Sequence, residues 1–105
     1  MATELIGGVE LEVDDEGFMT NPAQWTEELA PALGKEIGLD ELSDEHWKVI
    51  RFLRSDFEAQ GETATLRRVS TLANVPTKDL YKLFPKKPAK KMSYVAGLQK
   101  PTGCV

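Results

Sequence analysis

The stretch that decides the fold spans residues 43–61 and reads SDEHWKVIRFLRSDFEAQG. Its large apolar residues recur at spacings of three and four, as on one face of an α-helix: Trp47, Ile50, Leu53 and Phe57. Ser43 is a favoured helix-capping residue, and Gly61 is a favoured residue for ending a helix. Val49 and Phe52 widen the apolar face, and a face this broad needs more than one neighbour. We therefore predict a central core helix that several other elements cover.

The residues before this helix predict a β-hairpin and one interrupted helix. In the segment 9–13, apolar residues alternate with glutamates after the pair Gly7-Gly8, which is typical of a hairpin. Asn21 and Pro22 favour the start of a helix. Pro31 then predicts a kink or an early break near Ala30. The apolar stripe of this helix follows at intervals of four: Trp25, Leu29, Leu33 and Ile37.

The residues after Gly61 predict short helices followed by an arm. Apolar spacing favours helices over residues 65–73, 78–84 (capped by Thr77) and 89–96. The fold class is therefore mostly α, a small helical bundle with an N-terminal β-hairpin and a flexible C-terminal arm. Residues 1–97 form the hairpin plus helical domain, and residues 98–105, which show no apolar period, form the arm.

Composition narrows the class of protein. The chain has 105 residues, 41% hydrophobic and 29% charged, as expected of one soluble domain. It shows no signal peptide and no apolar run long enough for a membrane helix, so we predict a cytoplasmic protein with no membrane partner. One His and one Cys are too few for a zinc site, and no nucleotide-binding motif is present, so no cofactor is predicted. We interpret His46 as a partly buried, hydrogen-bonded residue rather than a catalytic base.

The net charge of −4 conceals a strong asymmetry along the chain. Residues 1–45 contain 13 acids and one base, a net charge of −12. Residues 46–105 contain 12 bases and 4 acids, a net charge of +8. This pattern indicates a basic face that meets an anionic partner, or two halves that fold together and partly neutralise each other.

Residues 66–84 have the rhythm of a helix-turn-helix. Basic residues within and after the segment are placed to contact phosphates: Arg67, Arg68, Lys78, Lys82, Lys86, Lys87, Lys90 and Lys91. Two short helices joined by a turn are also common in any small α domain. A DNA-binding or regulatory module therefore remains an alternative function, although direct nucleic-acid binding has little other support in an acidic chain.

The only cysteine is Cys104, one residue from the end of the chain. A thiol at this position is difficult to bury and has no partner for an internal disulfide, so reactivity is the main reason to keep it, although an incidental surface cysteine stays possible. Eight extended residues span about 26 Å, so the arm can enter another protein's active site. Gly103 gives the backbone freedom beside the thiol, Pro101 stiffens the approach, and Lys100 is the nearest base.

These features together resemble the DsrC/TusE family of sulfur-carrier proteins. The likeness covers nearly the whole chain, including the hairpin, and its terminal motif is highly specific. The matching segments are Glu45-His46-Trp47, Phe52-Leu53-Arg54, Leu80-Tyr81, Leu83-Phe84-Pro85, Pro88-Ala89-Lys90, Ala96-Gly97-Leu98 and Lys100-Pro101-Thr102-Gly103-Cys104-Val105.

The resemblance implies that Cys104 carries a persulfide received from a DsrE- or TusD-type donor complex. The acceptor would be a thiouridylase of tRNA 2-thiouridine synthesis, or a dissimilatory sulfite reductase for a DsrC-type member. The chain would be a sulfurtransferase only in the sense of a persulfide carrier. DsrC proper has a second cysteine at the position of Ser93, so the chain looks TusE-like. Lys87 and Gln99 also depart from the family, which usually has glycine and proline there, and the segment between Arg67 and Leu80 is shorter than in many members.

Overall fold

The computed structural model describes residues 2–101. A two-stranded hairpin comes first, then a single 3-10 turn and five α-helices. The strands are β1 (Ala2–Ile6) and β2 (Val9–Val13), the 3-10 turn is Pro22–Gln24, and the helices are α1 (Leu29–Glu36), α2 (Asp44–Gln60), α3 (Leu66–Leu72), α4 (Thr77–Leu83) and α5 (Pro88–Val95). The predicted fold class, a mostly helical bundle with an N-terminal hairpin, is confirmed.

Helix α2 is the predicted central helix. The Ser43 side chain accepts a hydrogen bond from the backbone N–H of His46, while His46 Nδ1 accepts one from the backbone N–H of Ser43 at 2.9 Å. This reciprocal pair caps the first turn. Gly61 ends the helix in the left-handed conformation, at φ +78°. Val49, Ile50 and Leu53 are fully buried in a core to which all five helices contribute.

His46 is buried and hydrogen-bonded, as predicted. Because its Nδ1 accepts from Ser43, the proton lies on Nε2, which donates to the carbonyl of Leu83 at 2.7 Å. The ring also contacts Phe84 edge-on, with centroids 5.1 Å apart. Nδ1 of His46 therefore caps α2, and Nε2 joins α2 to the end of α4.

The hairpin has the predicted turn. Gly7 and Gly8 take positive φ angles of 59° and 80°, which a two-residue hairpin loop requires, and Ile6 pairs with Val9. The buried side chains of the hairpin form a second small core with the following loop and α1: Ile6, Leu11, Val13, Met19, Leu29 and Leu33. The hairpin therefore packs on α1 through this core and is not a separate unit.

The prediction of one helix that begins at Pro22 and continues to Ala30 is wrong. Asn21 caps Pro22–Gln24 as expected, but this turn ends at Trp25, and a new helix begins at Leu29. Pro31 lies in the first turn of α1, where its missing N–H has no helical partner to lose. The break therefore comes before Ala30 and leaves Trp25 in extended backbone, at φ −74° and ψ 139°.

Helices α3, α4 and α5 lie where the spacing predicted them, with one correction. Thr65 caps α3 as a side-chain acceptor for Arg68, but the N-cap residue of α4 is Pro76 and not Thr77. Thr77 is already helical, and its hydroxyl donates to Ser70 Oγ at 3.2 Å. None of the helices within residues 2–101 is long and apolar enough to cross a membrane.

Candidate functional site

The predicted site residues lie on both sides of the limit of the described chain. Ser93, Lys100 and Pro101 are described; Gly103 and Cys104 lie outside residues 2–101. The structure therefore describes the first four residues of the predicted arm, 98–101, together with the end of α5 before them.

The arm leaves α5 through a glycine-dependent helix ending. Gly97 takes φ +73°, and its N–H donates to the carbonyl of Tyr94 at 3.1 Å. The N–H of Leu98 donates to the carbonyl of Ser93 at 3.0 Å. These two bonds form a Schellman motif, which satisfies carbonyls at the end of the helix and turns the chain away from the helix axis.

Trp25 covers this turn so closely that position 97 has no room for a side chain. A Cβ atom on Gly97 would lie 2.4 Å from Trp25 Cδ1 and 2.6 Å from Trp25 Cγ. The indole Nε1 donates to the carbonyl of Val95 at 2.9 Å. The indole therefore holds the end of α5 by packing and by a hydrogen bond.

Arg54 of α2 completes this contact from the other side. Its guanidinium donates to the carbonyl of Ala96 at 2.8 Å and to the carbonyl of Pro22 at 3.0 Å, and it stacks 4.3 Å from the centre of the Trp25 ring. Burial lowers the pKa of Arg54 from its ordinary value, and the nearby charge of Glu58 opposes this. We call Trp25, Arg54 and Gly97 the exit clamp, because together they fix where the chain leaves α5.

Beyond the exit clamp, the described residues of the arm run against the domain. Leu98 is fully buried, and Pro101 is buried as well. Lys100 Nζ lies 2.8 Å from Glu16 Oε1, with both side chains about half exposed. Glu16 belongs to a tight turn in which Asp14 Oδ1 accepts hydrogen bonds from two backbone N–H groups. The arm therefore passes the loop that follows β2 on its way to the chain terminus.

A groove of about 350 Å³ lies beside this path, between β1, the loop that follows β2, the end of α1 and α5. It mixes both signs of charge, with Glu4, Glu16 and Glu36 opposite Lys90 and Lys91. Tyr94 forms part of its wall and contacts Phe18 edge-on, with ring centroids 5.9 Å apart. Burial, together with Glu36 and Glu4, raises the pKa of Tyr94 to about 12, so this phenol stays neutral at physiological pH.

Ser93, at the position of the second cysteine in DsrC proper, is fully buried on α5. Its hydroxyl donates to the carbonyl of Ala89 at 2.8 Å, one turn earlier in the same helix. The hydroxyl is thus satisfied within its own helix and is not presented to the surface.

The helix-turn-helix-like segment is present as α3 and α4, but its bases are not equivalent. Arg68 binds Asp56 of α2 through two hydrogen bonds of 2.9 and 2.8 Å, so its guanidinium serves the fold. Arg67 and Lys78 are exposed. Helix α4 has seven residues, which gives a short surface for reading a DNA groove.

Comparison with known proteins identifies the family. A model of the family described as DsrC like protein matches residues 5–105. The chain belongs to this family. It is 41% identical over 106 residues to Sulfurtransferase TusE of Escherichia coli, with 93% of this chain and 95% of that protein covered. It is 39% identical to Sulfurtransferase TusE of Salmonella typhimurium, with the same coverage.

Solved structures agree with this assignment. The oxidized gamma-subunit of the dissimilatory sulfite reductase (DsrC) from Archaeoglobus fulgidus is 38% identical, with a TM-score of 0.81 over 99% of this chain and 100% of that one. A structure described as dissimilatory sulfite reductase I (DsrI) is 35% identical, with a TM-score of 0.85 and the same coverage. The family predicted from the sequence motifs is therefore confirmed.

The part that sequence reasoning missed in this DsrC-like protein is the exit clamp. The sequence predicts Trp25 only as part of an apolar helical stripe, and it offers Arg54 and Gly97 only within the segments that carry the resemblance. One signal was available: Arg54 lies four residues after Ile50 and seven after Trp47, on the apolar side of α2. An arginine at such a position predicts a guanidinium that is tied to other parts of the fold.

Proposed function

We propose that this DsrC-like protein is a sulfur-relay carrier in which Cys104 accepts a sulfane sulfur as a persulfide and passes it to an acceptor protein. The sulfur-relay role predicted from the sequence is confirmed by the TusE relatives and the DsrC structures. The role of Cys104 is our proposal. The observation that carries it is that the family match runs to residue 105 and includes the only cysteine of the chain.

The proposed reaction is an exchange between sulfur atoms. The thiolate of Cys104 attacks the outer sulfur of a donor persulfide, a new S–S bond forms on Cys104, and the donor leaves as a thiolate. An acceptor thiolate then attacks the outer sulfur on Cys104, which releases Cys104 as a thiolate again. Each step forms one S–S bond and breaks another, so the relay needs no external oxidant or reductant.

The single cysteine favours a TusE-like relay over a redox role. A DsrC-type cycle with an internal disulfide needs a second thiol, and this chain has the buried hydroxyl of Ser93 at that position. We therefore place the protein in the cytoplasm, between a TusD-type donor complex and a thiouridylase that makes tRNA 2-thiouridine. The basic second half of the chain supports an acidic partner or a tRNA-bound acceptor by electrostatic attraction.

Intact mass spectrometry tests the role of Cys104. After incubation with glutathione persulfide, the wild-type protein should gain about 32 Da per sulfur, and Cys104→Ser should gain nothing. In an Escherichia coli strain that lacks TusE, wild type should restore tRNA 2-thiouridine and Cys104→Ser should not. An equal mass gain in both proteins, or no gain in wild type, would refute the proposal.

A further inference from the structure

A second groove lies on the opposite end of α5 from the exit clamp. It has a volume of about 270 Å³ and lies where the starts of α3 and α5 meet α4. Its lining residues are Leu66, Tyr81, Lys87, Pro88, Ala89 and Lys90. Pro88 and Ala89 are buried and form an apolar floor, whereas Tyr81 is 52% exposed. We call this feature the Tyr81 groove.

The Tyr81 groove is lined by cations and by no carboxylate. Lys87 is exposed in its lining, Lys86 is the exposed residue just before it in the chain, and Lys90 lines both this groove and the mixed-charge groove beside Tyr94. Within residues 2–101 none of these three lysines has a carboxylate within 4 Å, since the ion pairs there use Arg51, Arg68 and Lys100. Their positive charge is therefore available to a partner.

Asp79, the one acid of α4, does not neutralise these lysines. It lines a different cavity, with Glu45 and Lys82. The other acids lie mostly before residue 46, on the hairpin, its following loop, α1 and the start of α2. The overall acidic charge of the chain therefore leaves one locally basic face.

Two of these lysines take a backbone conformation that lysine does not favour. Lys86 has φ +59° and Lys87 has φ +50°, consecutive left-handed residues that cost about 1–2 kcal/mol each for a side chain with a Cβ. Glycine would take either position without this cost. Strained residues of this kind are found where a surface makes a specific contact. Here the two strained residues are consecutive cations, and Lys87 is part of the lining of the groove.

We infer that the Tyr81 groove binds single-stranded RNA, with one base stacked on the Tyr81 ring and the flanking phosphates on Lys86, Lys87 and Lys90. An exposed aromatic ring between cations is the arrangement by which proteins hold unpaired bases without reading a sequence. An acidic protein segment would use the lysines but would not need the ring. A DNA duplex would need a longer helix than α4, and it would not find Arg68 free.

This inference rests on the proposed function, in which the acceptor acts on a tRNA, and it adds a direct contact between the carrier and an unpaired stretch of that RNA. Helix α5 has eight residues and spans about 12 Å, so the groove and the exit clamp lie at its two ends. An RNA held at one end would therefore lie about 12 Å from the point where the chain leaves the other end of the helix.

Fluorescence anisotropy with a fluorescein-labelled octauridylate tests the inference on the full chain. Binding should saturate, and three phosphate contacts should give a slope of about −2 in a plot of log affinity against log salt. Affinity should therefore fall about 16-fold between about 50 and 200 mM salt. Tyr81→Ala should weaken binding about 5- to 150-fold, and Tyr81→Phe, which keeps the ring, should bind as wild type does.

Lys87→Gly separates binding from folding. It removes one cation and relieves the strain, so it should reduce the salt slope by about 0.7 while the protein becomes no less stable. Lys35→Gln is the matched control, because it removes one exposed positive charge from α1 and should leave the affinity unchanged.

Three results would overturn the inference: no saturable binding at low salt, equal binding by wild type and Tyr81→Ala, or preferential binding of a labelled polyglutamate peptide. Persulfide loading of the same variants separates this inference from the proposed function. Tyr81→Ala should load sulfur on Cys104 like wild type. If the wild-type protein binds RNA but takes up no sulfur, the sulfur-relay proposal alone is refuted. If it takes up sulfur but does not bind RNA, the proposed RNA site in the Tyr81 groove alone is refuted.

Discussion

At the scale of single residues, two glycines in the same backbone conformation have different surroundings. Gly61 and Gly97 both have φ between 70° and 80°, at the ends of α2 and α5. A Cβ on Gly61 would meet no atom within 4 Å, whereas a Cβ on Gly97 would overlap the Trp25 ring. The pair therefore separates the cost of the backbone conformation from the cost of crowding.

Gly97→Ala should destabilise the protein much more than Gly61→Ala. The control carries only the left-handed strain, about 1–2 kcal/mol. Gly97→Ala adds the displacement of Trp25, a further 1–3 kcal/mol or so typical of overpacking. Urea denaturation of both variants measures the difference in free energy of unfolding. Equal losses of unfolding free energy in the two variants would mean that Trp25 moves aside without cost. The exit clamp would then not hold the arm.

Tyr94 gives the fold a dependence on alkaline pH. Burial and the nearby glutamates raise its pKa to about 12 in the folded protein, above the ordinary value of 10. The neutral phenol is therefore favoured by folding, and its contribution to stability is complete below pH 10 and is lost as pH rises through 12. The free energy of unfolding of wild type should fall more steeply across this range than that of Tyr94→Phe. If the free energies of unfolding of the two proteins fall in parallel across this pH range, Tyr94 is not the group responsible.

At the scale of secondary-structure elements, two arginines of α2 have different tasks. Arg54 donates to the carbonyls of Ala96 and Pro22 and stacks on Trp25. Arg51, three residues earlier, is about two-thirds exposed and lies 3.5 Å from an equally exposed Glu27. Only the first joins α2 to the end of α5.

Arg54→Ala should cost about 3 kcal/mol of stability, because two charge-assisted hydrogen bonds and a stacked ring are lost. Arg51→Ala should cost no more than about 1 kcal/mol, the usual contribution of an exposed ion pair. The contact of Arg51 with Trp47, 5.4 Å from the ring centre, is longer than that of Arg54 with Trp25. Hydrogen exchange provides the second measurement. Exchange at the Leu98 amide should accelerate in Arg54→Ala and stay unchanged in Arg51→Ala, and similar behaviour of the two variants would refute this role of Arg54.

Elements with a strong local signal were predictable from the sequence. The spacing of Trp47, Ile50, Leu53 and Phe57 places α2, and Gly7-Gly8 with alternating residues places the hairpin, because in both cases the local pattern and the burial agree. The course of residues 22–29 was not predictable in this way. Trp25 fits a helical stripe by spacing, but its contacts with Gly97 and Val95, seventy residues away in the chain, are better made from extended backbone.

The sequence predicts the chemistry of the site but not the contacts that support it. Cys104, Lys100 and Pro101 follow from the sequence of the chain end and its resemblance to a known family. The exit clamp depends on contacts between distant segments, which spacing does not reveal. The left-handed conformation of Lys86 also lacks a local signal, since lysine rarely takes it, whereas at Lys87 the usual glycine of the family is the one signal.

At the scale of the whole molecule, the charge asymmetry is only partly neutralised by folding. Two of the three ion pairs within residues 2–101, Glu27 with Arg51 and Glu16 with Lys100, join an acid from the first half to a base from the second. Both are largely exposed, so each contributes little to stability. The charge asymmetry therefore contributes less to the stability of the fold than to association with other molecules. The cations of the Tyr81 groove are available for such a contact.

A well-packed core lies within the described residues. Its buried apolar side chains run from Ile6 to Leu98, and every buried polar side-chain atom within residues 2–101 has a hydrogen-bond partner. The free energy of unfolding should therefore be set by this part of the chain. The proposed chemistry, in contrast, depends on Cys104.

Deletion of Cys104 and Val105 should separate these two properties. The shortened protein should unfold within about 0.5 kcal/mol of wild type in urea, because the deletion leaves the buried residues from Ile6 to Leu98 in place. It should accept no sulfur from glutathione persulfide and should not restore tRNA 2-thiouridine in a strain without TusE. Its affinity for octauridylate should match that of wild type, because the Tyr81 groove is intact. A large loss of stability would place the terminal residues in the fold, and retained sulfur transfer would refute the carrier role of Cys104.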